Sequence, residues 1–349
     1  MTTLQSIWFV LVGVLLLGYT LLDGFDLGVG SLYLFTKDPK ERERMLYSIG
    51  PFWDSNQVWL LTGGGAIFAA FPMVYATVFS GFYLALMLVL FALIFRAVSL
   101  EFQHQLDTPG WRKWWDIGFG IGSLLPSILF GVAMGNILRG VPLDAKANFI
   151  GDFFGLLNPY SLVLGLLSCS MFALHGATFL YAQTDGALKE KTRRWARTAW
   201  MGLVLFFIIG TVWSLAATPR LFTNFFDQPL LFILPLTVIV GLVYVPVALA
   251  KGKPLTPFLA SSLTIAGLWG TIGASLFPYM VPAINDLSNS LTIFNASSSE
   301  RTLTVMLILA LIGLPIVLTY TSYIYRTFLK SNKGVTVTGS KSSKSFSNM

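Results

Sequence analysis

The chain has 349 residues, of which 55% are hydrophobic and only 11% charged, with a mean hydropathy of +0.71 and a formal net charge of +7. An average soluble domain carries roughly 25% charged residues, so this composition excludes a soluble globular class and points to a membrane protein. The positive charge does not mark a nucleic-acid binder, because Lys and Arg sit in short clusters between apolar runs. A single cysteine, Cys169, rules out an internal disulfide and any multi-thiolate metal site.

A spanning helix needs about 20 mostly apolar residues. In chain order, spans are expected at 7–35, 55–75, 78–101, 114–138, 158–184, 198–217, 229–250, 256–278 and 302–328. No Lys or Arg precedes the first run, which lacks the basic leader region of a secretory signal and is read as a retained helix. The expected fold class is therefore all-α, a polytopic membrane protein of about nine transmembrane helices. Residues 1–330 form one transmembrane domain, and the Ser-, Lys- and Gly-rich stretch 331–349 is expected to be a disordered cytoplasmic tail.

Orientation follows from the basic residues. The segments after the first, third, fifth and seventh spans and the C-terminal region, counted with Arg96 and Arg326 at the ends of their spans, hold 19 of the 23 Lys and Arg residues. This asymmetry places the N-terminus outside and the C-terminus in the cytoplasm. A faint repeat accompanies it: Asp23-Gly24 precedes Lys37 by fourteen residues, and His175-Gly176 precedes Lys189 by the same distance. It suggests two four-helix bundles plus one extra helix.

The chemistry is sought among ionisable residues within or beside the spans. Asp23 and Asp26 lie inside the first run, three apart and on one helix face. Asp54 opens the second span, Arg96 and Glu101 close the third, and Asp116 opens the fourth. With the N-terminus outside, all of them fall toward the cytoplasmic side. A charge at the bilayer centre costs about 2.5–3.5 kcal/mol on insertion scales. Two aspartates one turn apart repel when both ionise, and Arg96 is the expected partner of one of them. The functional reading is a proton or cation path from the cytoplasm, carried by Asp26 and Asp54 with Asp23, Glu101 and Asp116 as entry or relay groups. The alternative is a structural ion pair or interfacial charges reaching to water.

Other features carry less. Gly24 and Gly28 have small-xxx-small spacing, which favours close helix approach, and Gly63-Gly64-Gly65 is read the same way because it lacks the Lys-Ser/Thr of a phosphate loop. Of two histidines, only His175 lies in a span, and it is expected to be a hydrogen-bonded core residue. A haem held by two histidines within the spans is excluded. Trp53, Trp59, Trp111, Trp114 and Trp115 read as interfacial anchors. The Asn295-Ala296-Ser297 sequon is assigned no role.

Several long motifs in order resemble subunit II of the cytochrome bd-type quinol oxidases. They are DGFDLGVG at 23–30, GPFWDSNQVWLLTGGGAIFAAFPMVYA at 50–76, FRAVSLEF at 95–102, GNILRGVP at 135–142, LLNPYSLVLGLLS at 156–168 and FPYMVPAINDLSNSLTIFNASSS at 277–299. The resemblance implies a terminal oxidase of a prokaryotic plasma membrane that oxidises quinol and reduces dioxygen to water. It implies a subunit I that holds two haem b and one haem d, with none held by this chain itself, and it leaves room for small single-helix accessory subunits among the lipid. It carries the family's acidic positions onto Asp26 and Asp54, its basic position onto Arg96, and its tryptophan onto Trp53. Ser55 stands where glycine is usual, and its hydroxyl is expected to reach the Asp54 carboxylate. The competing reading is an ion-coupled transporter with carboxylates near the midplane. Against it, these carboxylates lie toward one surface and no charge lies deep in spans six to eight.

Overall fold

The computed structural model describes residues 1–331, so all but Ser331 of the expected tail lies outside the described residues. The first half holds α1 (Thr2–Tyr33), α2 (Pro39–Ile49), α3 (Trp53–Ala70), α4 (Pro72–Gly81), α5 (Tyr83–Phe102), α6 (Pro109–Arg139) and the single turn α7 (Phe153–Leu156). The second holds α8 (Pro159–Gln183), α9 (Gly186–Ala217), the short α10 (Thr223–Asp227), α11 (Ile233–Ala250) and α12 (Thr256–Leu276). Strands β1 (Tyr279–Val281) and β2 (Leu291–Thr292) then pair antiparallel, Tyr279 opposite Thr292 and Val281 opposite Leu291, before α13 (Glu300–Ser331).

Among the described residues, eight helices are long and apolar enough to cross a membrane: α1, α5, α6, α8, α9, α11 with its preceding turn, α12 and α13. The second expected span, 55–75, is not one of them. Its first turn, Asp54-Ser55-Asn56-Gln57, dilutes its apolar character, and the helix stops at Phe71, where Pro72 has no N–H to continue the ladder and starts α4 instead. Even so, α3 runs antiparallel along α1. Asn56 Nδ2 donates to Leu22 O at 3.0 Å near one end. At the other, Ser298 N donates to Ala70 O at 2.8 Å, next to Ser297, whose Oγ accepts from Gln5 at 2.7 Å. In this way α3 runs along α1 from the level of Leu22 to that of Gln5. Three further boundaries move. α1 begins at Thr2 rather than 7, α6 begins at Pro109 so that Asp116 lies two turns inside it, and α9 begins at Gly186. The basic run Lys189–Arg197 is thus helical, an amphipathic extension beyond the apolar part.

Within the first half α1 packs on α3 and α6, and α5 on α6; within the second α8 packs on α9 and α12, and α11 on α12. The halves meet where α1 and α6 cross α8. A Cβ on Gly28 would stand 1.9 Å from Phe172 O and 2.8 Å from Gly176 N; one on Gly176 would stand 2.5 Å from Gly28 C. The two backbones touch, as the small-residue spacing anticipated. The glycine triplet is different: Gly63 faces Leu16, but Gly64 and Gly65 face open space.

At the end of the bundle that carries the aspartates, α2 bridges the halves. Its Arg42 pairs with Asp116 of α6, which also accepts from the Tyr33 hydroxyl, while its Glu41 accepts from Lys191 of α9 at 2.7 Å. At the opposite end, the segment after α6 is laced to the β-hairpin by Asn285, which accepts from Leu143 N at 3.0 Å and donates to Leu143 O at 2.8 Å. The sequon amide is consumed locally, since Asn295 accepts from Thr292 N at 2.8 Å and donates to Ser290 O at 3.0 Å.

In the same segment Asp144 accepts from the Asn148 side chain, the Asn148 N–H and the Lys146 N–H, and these donors hold its carboxyl below the usual carboxylate range. A lowered folded pKa contributes stability above the ordinary value that is lost as pH falls through the lowered one. Amide exchange is therefore expected to show protection at Lys146 and Asn148 at neutral pH, weakening only below the ordinary carboxylate range. In Asp144→Ala it should be absent at every pH.

Candidate functional site

Three fully buried ionisable side chains meet where α1 passes α3 and α5: Asp23, Asp26 and Arg96. Residues three apart on a helix differ by about 60° around its axis, and that angle separates the two aspartates' partners. Asp23 turns to α5, where Arg96 Nη2 donates to its Oδ1 at 2.8 Å and Nη1 to its Oδ2 at 3.0 Å, a two-pronged guanidinium–carboxylate pair. Asp26 turns to α3 and accepts from Asn56 Nδ2 at 2.8 Å through Oδ2. Its Oδ1 is buried without a hydrogen-bond partner, as is Arg96 Nε. Arg96 sits so close to α1 because Gly122 of α6 leaves space behind it; a Cβ there would lie 2.8 Å from Arg96 N.

Asn56 is the hinge of a second set of contacts. Its Oδ1 accepts from the Tyr325 hydroxyl of α13 at 3.0 Å. The Tyr325 ring stacks on Phe52 at 4.5 Å and meets Phe25 edge-on, and Phe25 stacks on Phe179 of α8 at 4.1 Å. The aromatic layer closes the apolar side of the aspartate pair. His175 borders it as a core residue, stacked on Phe258 at 4.6 Å. Its Nε2 lies 3.0 Å from Leu21 O, which can only accept, so Nε2 carries the proton and Nδ1 accepts from Ser261 Oγ at 2.8 Å.

The other expected groups stand apart. Asp54 and Ser55 are exposed at the first turn of α3, beside a partly exposed Trp53, and Glu101 is exposed at the end of α5. Ser55 does not bond Asp54; its hydroxyl donates to Phe52 O at 2.9 Å, three residues back, as serines near helix starts commonly do. Asp116 is engaged with Arg42 and Tyr33, not with Asp26. Arg96 thus partners Asp23 alone by hydrogen bonding. Asn56 and Tyr325 escaped sequence reasoning, which followed charges; the polar run DSNQ inside a span was the available signal for the first. No group of three His, Cys, Asp or Glu side chains converges as a metal site among the described residues.

Fold and site together define an all-α, multi-pass membrane protein with an ionisable cluster sunk among α1, α3 and α5. The model of the family described as cytochrome bd terminal oxidase subunit II matches residues 4–328, and the chain belongs to that family. It is 40% identical to the cytochrome bd-I ubiquinol oxidase subunit 2 of Escherichia coli (strain K12), over 92% of this chain and 93% of that protein. It is 37% identical to the cytochrome bd ubiquinol oxidase subunit 2 of Bacillus subtilis (strain 168), over 95% and 97%. In fold it is similar to a chain of the bd oxidase from Geobacillus thermodenitrificans, with a TM-score of 0.78 at 19% identity, covering 94% of this chain and 99% of that one. Membership makes the chain one subunit of a haem-containing oxidoreductase complex that includes a subunit I, and does not favour the transporter reading.

Proposed function

We propose that this chain works with subunit I in oxidising quinol and reducing dioxygen to water, stabilises the complex, and supplies a cytoplasmic path for the protons that reduction consumes. The two haem b and one haem d belong to subunit I and supply the electron transfer and oxygen chemistry. In support, both ring nitrogens of His175 are engaged within the chain, and His104 is exposed at the surface. The chain sits in a prokaryotic plasma membrane with its N-terminus outside and its C-terminus in the cytoplasm, within one transmembrane domain over 1–330. Single-helix accessory subunits and lipid cover part of its outer surface.

Four protons per dioxygen enter from the cytoplasmic side while quinol releases its own outside, so charge is separated without a pump. Asp54, exposed at the start of α3, takes up protons from water. Asp26 receives them inside, with water between the two, since carboxylates do not pass protons across a gap. Glu101 and Asp116 gather protons at the rim, with Trp53 and Ser55 framing Asp54. Asp23 and Arg96 anchor the helices and set the field around Asp26. The observation that carries the reading is the buried Asp26 Oδ1 with no hydrogen-bond partner, beside an aspartate whose oxygens are both taken. A proton acceptor needs an open oxygen, and Asp26 has one.

Asp26→Asn and Asp54→Asn are each expected to slow proton uptake during a single turnover with dioxygen by ~100-fold or more, the range of a lost acid–base group, while the haem spectrum stays intact. Unchanged uptake in either variant removes that residue from the path. Loss of the haem bands on purification would assign it a structural role.

A further inference from the structure

The Asn56 amide has one orientation. Its Nδ2 lies 3.0 Å from Leu22 O and 2.8 Å from Asp26 Oδ2, while its Oδ1 lies 3.0 Å from the Tyr325 hydroxyl. A backbone carbonyl can only accept, so the NH2 must face Leu22. Its second hydrogen then points at Asp26 Oδ2, and the amide oxygen is left to accept from Tyr325. An oxygen already receiving an N–H cannot carry a hydrogen directed along the same line. Tyr325 has little other reason to be where it is: α13 is almost unburied along its apolar stretch, yet this residue is drawn in by Phe52 and Asn56.

We infer that Asn56 and Tyr325 are positioning residues for Asp26, which confine its transferable proton to Oδ1 and leave Oδ2 as the carbonyl oxygen. The inference rests on the reading of Asp26 as a proton carrier. Around that carboxyl stand Asp23, Arg96, Tyr19 and Tyr325 as the ionisable neighbours. Arg96 presents a buried polar atom with no hydrogen-bond partner, Nε. Asp26 Oδ1 is likewise without a partner, whereas Oδ2 is turned to the amide. The last helix thereby controls a group on the first, through one amide and the neutral Tyr325 hydroxyl.

Infrared difference spectroscopy of the assembled oxidase, triggered by reaction with dioxygen, tests this. The protonated Asp26 carbonyl band is identified by its loss in Asp26→Asn. In Asn56→Leu, close in volume but without the N–H, the band should move to higher frequency, because Oδ2 loses its donor. In Tyr325→Phe, which keeps the ring stack and loses only the hydroxyl, it should move the same way by less, with proton uptake slowed about fivefold, the effect of roughly one hydrogen bond. A band that stays in place in Tyr325→Phe and in Asn56→Leu, or no Asp26 band at all, overturns the assignment. Normal uptake in Asp26→Asn would instead defeat the proton-path reading, and a band that still shifts would leave the positioning intact.

Discussion

Gly28→Ala is expected to abolish recovery of the intact complex, or to lower its melting temperature more than any other single-methyl substitution in the chain. The added carbon would lie 1.9 Å from Phe172 O and 2.8 Å from Gly176 N. Both are backbone atoms in a helix, so no side chain can rotate away, and the α1–α8 crossing must separate. Overpacking a core costs typically 1–3 kcal/mol where side chains can adjust; here the cost is expected to exceed about 3 kcal/mol, because the two halves lose register along their whole contact. Gly64→Ala is the control. Nothing lies within 4 Å of its Cβ direction, and the substitution should be neutral or slightly stabilising, since alanine is the better helix former by about 1 kcal/mol. Melting of the detergent-solubilised complex, followed by haem absorbance, compares them. Equal melting temperatures would show that the crossing gives way more easily than its geometry implies.

Arg96→Leu carries the second large effect. It leaves the Asp23 carboxylate fully buried with neither of its two guanidinium donors. Breaking a buried pair in this one-sided manner costs about 3–5 kcal/mol, whereas replacing both partners by apolar residues of similar volume is often near neutral. The double variant Asp23→Leu with Arg96→Leu should therefore recover much of the stability lost by Arg96→Leu alone. The cycle also separates two roles. If the pair only anchors α1 to α5, recovered stability brings recovered turnover. If it also sets the field at Asp26, proton uptake stays slow in the stable double variant. A double variant no more stable than Arg96→Leu would show that the unpaired Asp23 carboxylate is not what destabilises Arg96→Leu.

Much of this architecture is legible in the chain itself. Nine apolar runs and the clustering of basic residues define the class, and the fourteen-residue echo between Asp23-Gly24 and His175-Gly176 falls on the helices that cross at the centre. The Gly24–Gly28 spacing marks that crossing. The division of labour between the two aspartates was not legible. Both sit on one face by spacing alone, and only the rotation between α3 and α5 around α1 decides that Arg96 takes Asp23 while Asn56 takes Asp26. Ser55 looked like a partner for Asp54 by adjacency, but neighbouring side chains on a helix diverge, and the nearest acceptor was a carbonyl three residues back. Tyr325 was hidden by distance: 269 residues separate it from Asn56, and a hydroxyl near the end of an exposed helix carries no pattern of its own. The break between α3 and α4 was announced by Pro72, yet continuous hydropathy ran through it.

The one-sided placement of the carboxylates bears on electrical leakage. From Tyr19 to Gln5, α1 presents Leu15, Val12 and Trp8 to the core and no ionisable side chain between them, over fourteen residues or about 21 Å at 1.5 Å per residue. Gln5 is itself held by Ser297. A proton taken up by Asp26, as proposed, would thus have no stepping stone onward along this helix to the far surface. On the proposed path the chain would act as a dead-end inlet backed by an insulator, so that a voltage built across the membrane would not be short-circuited along α1.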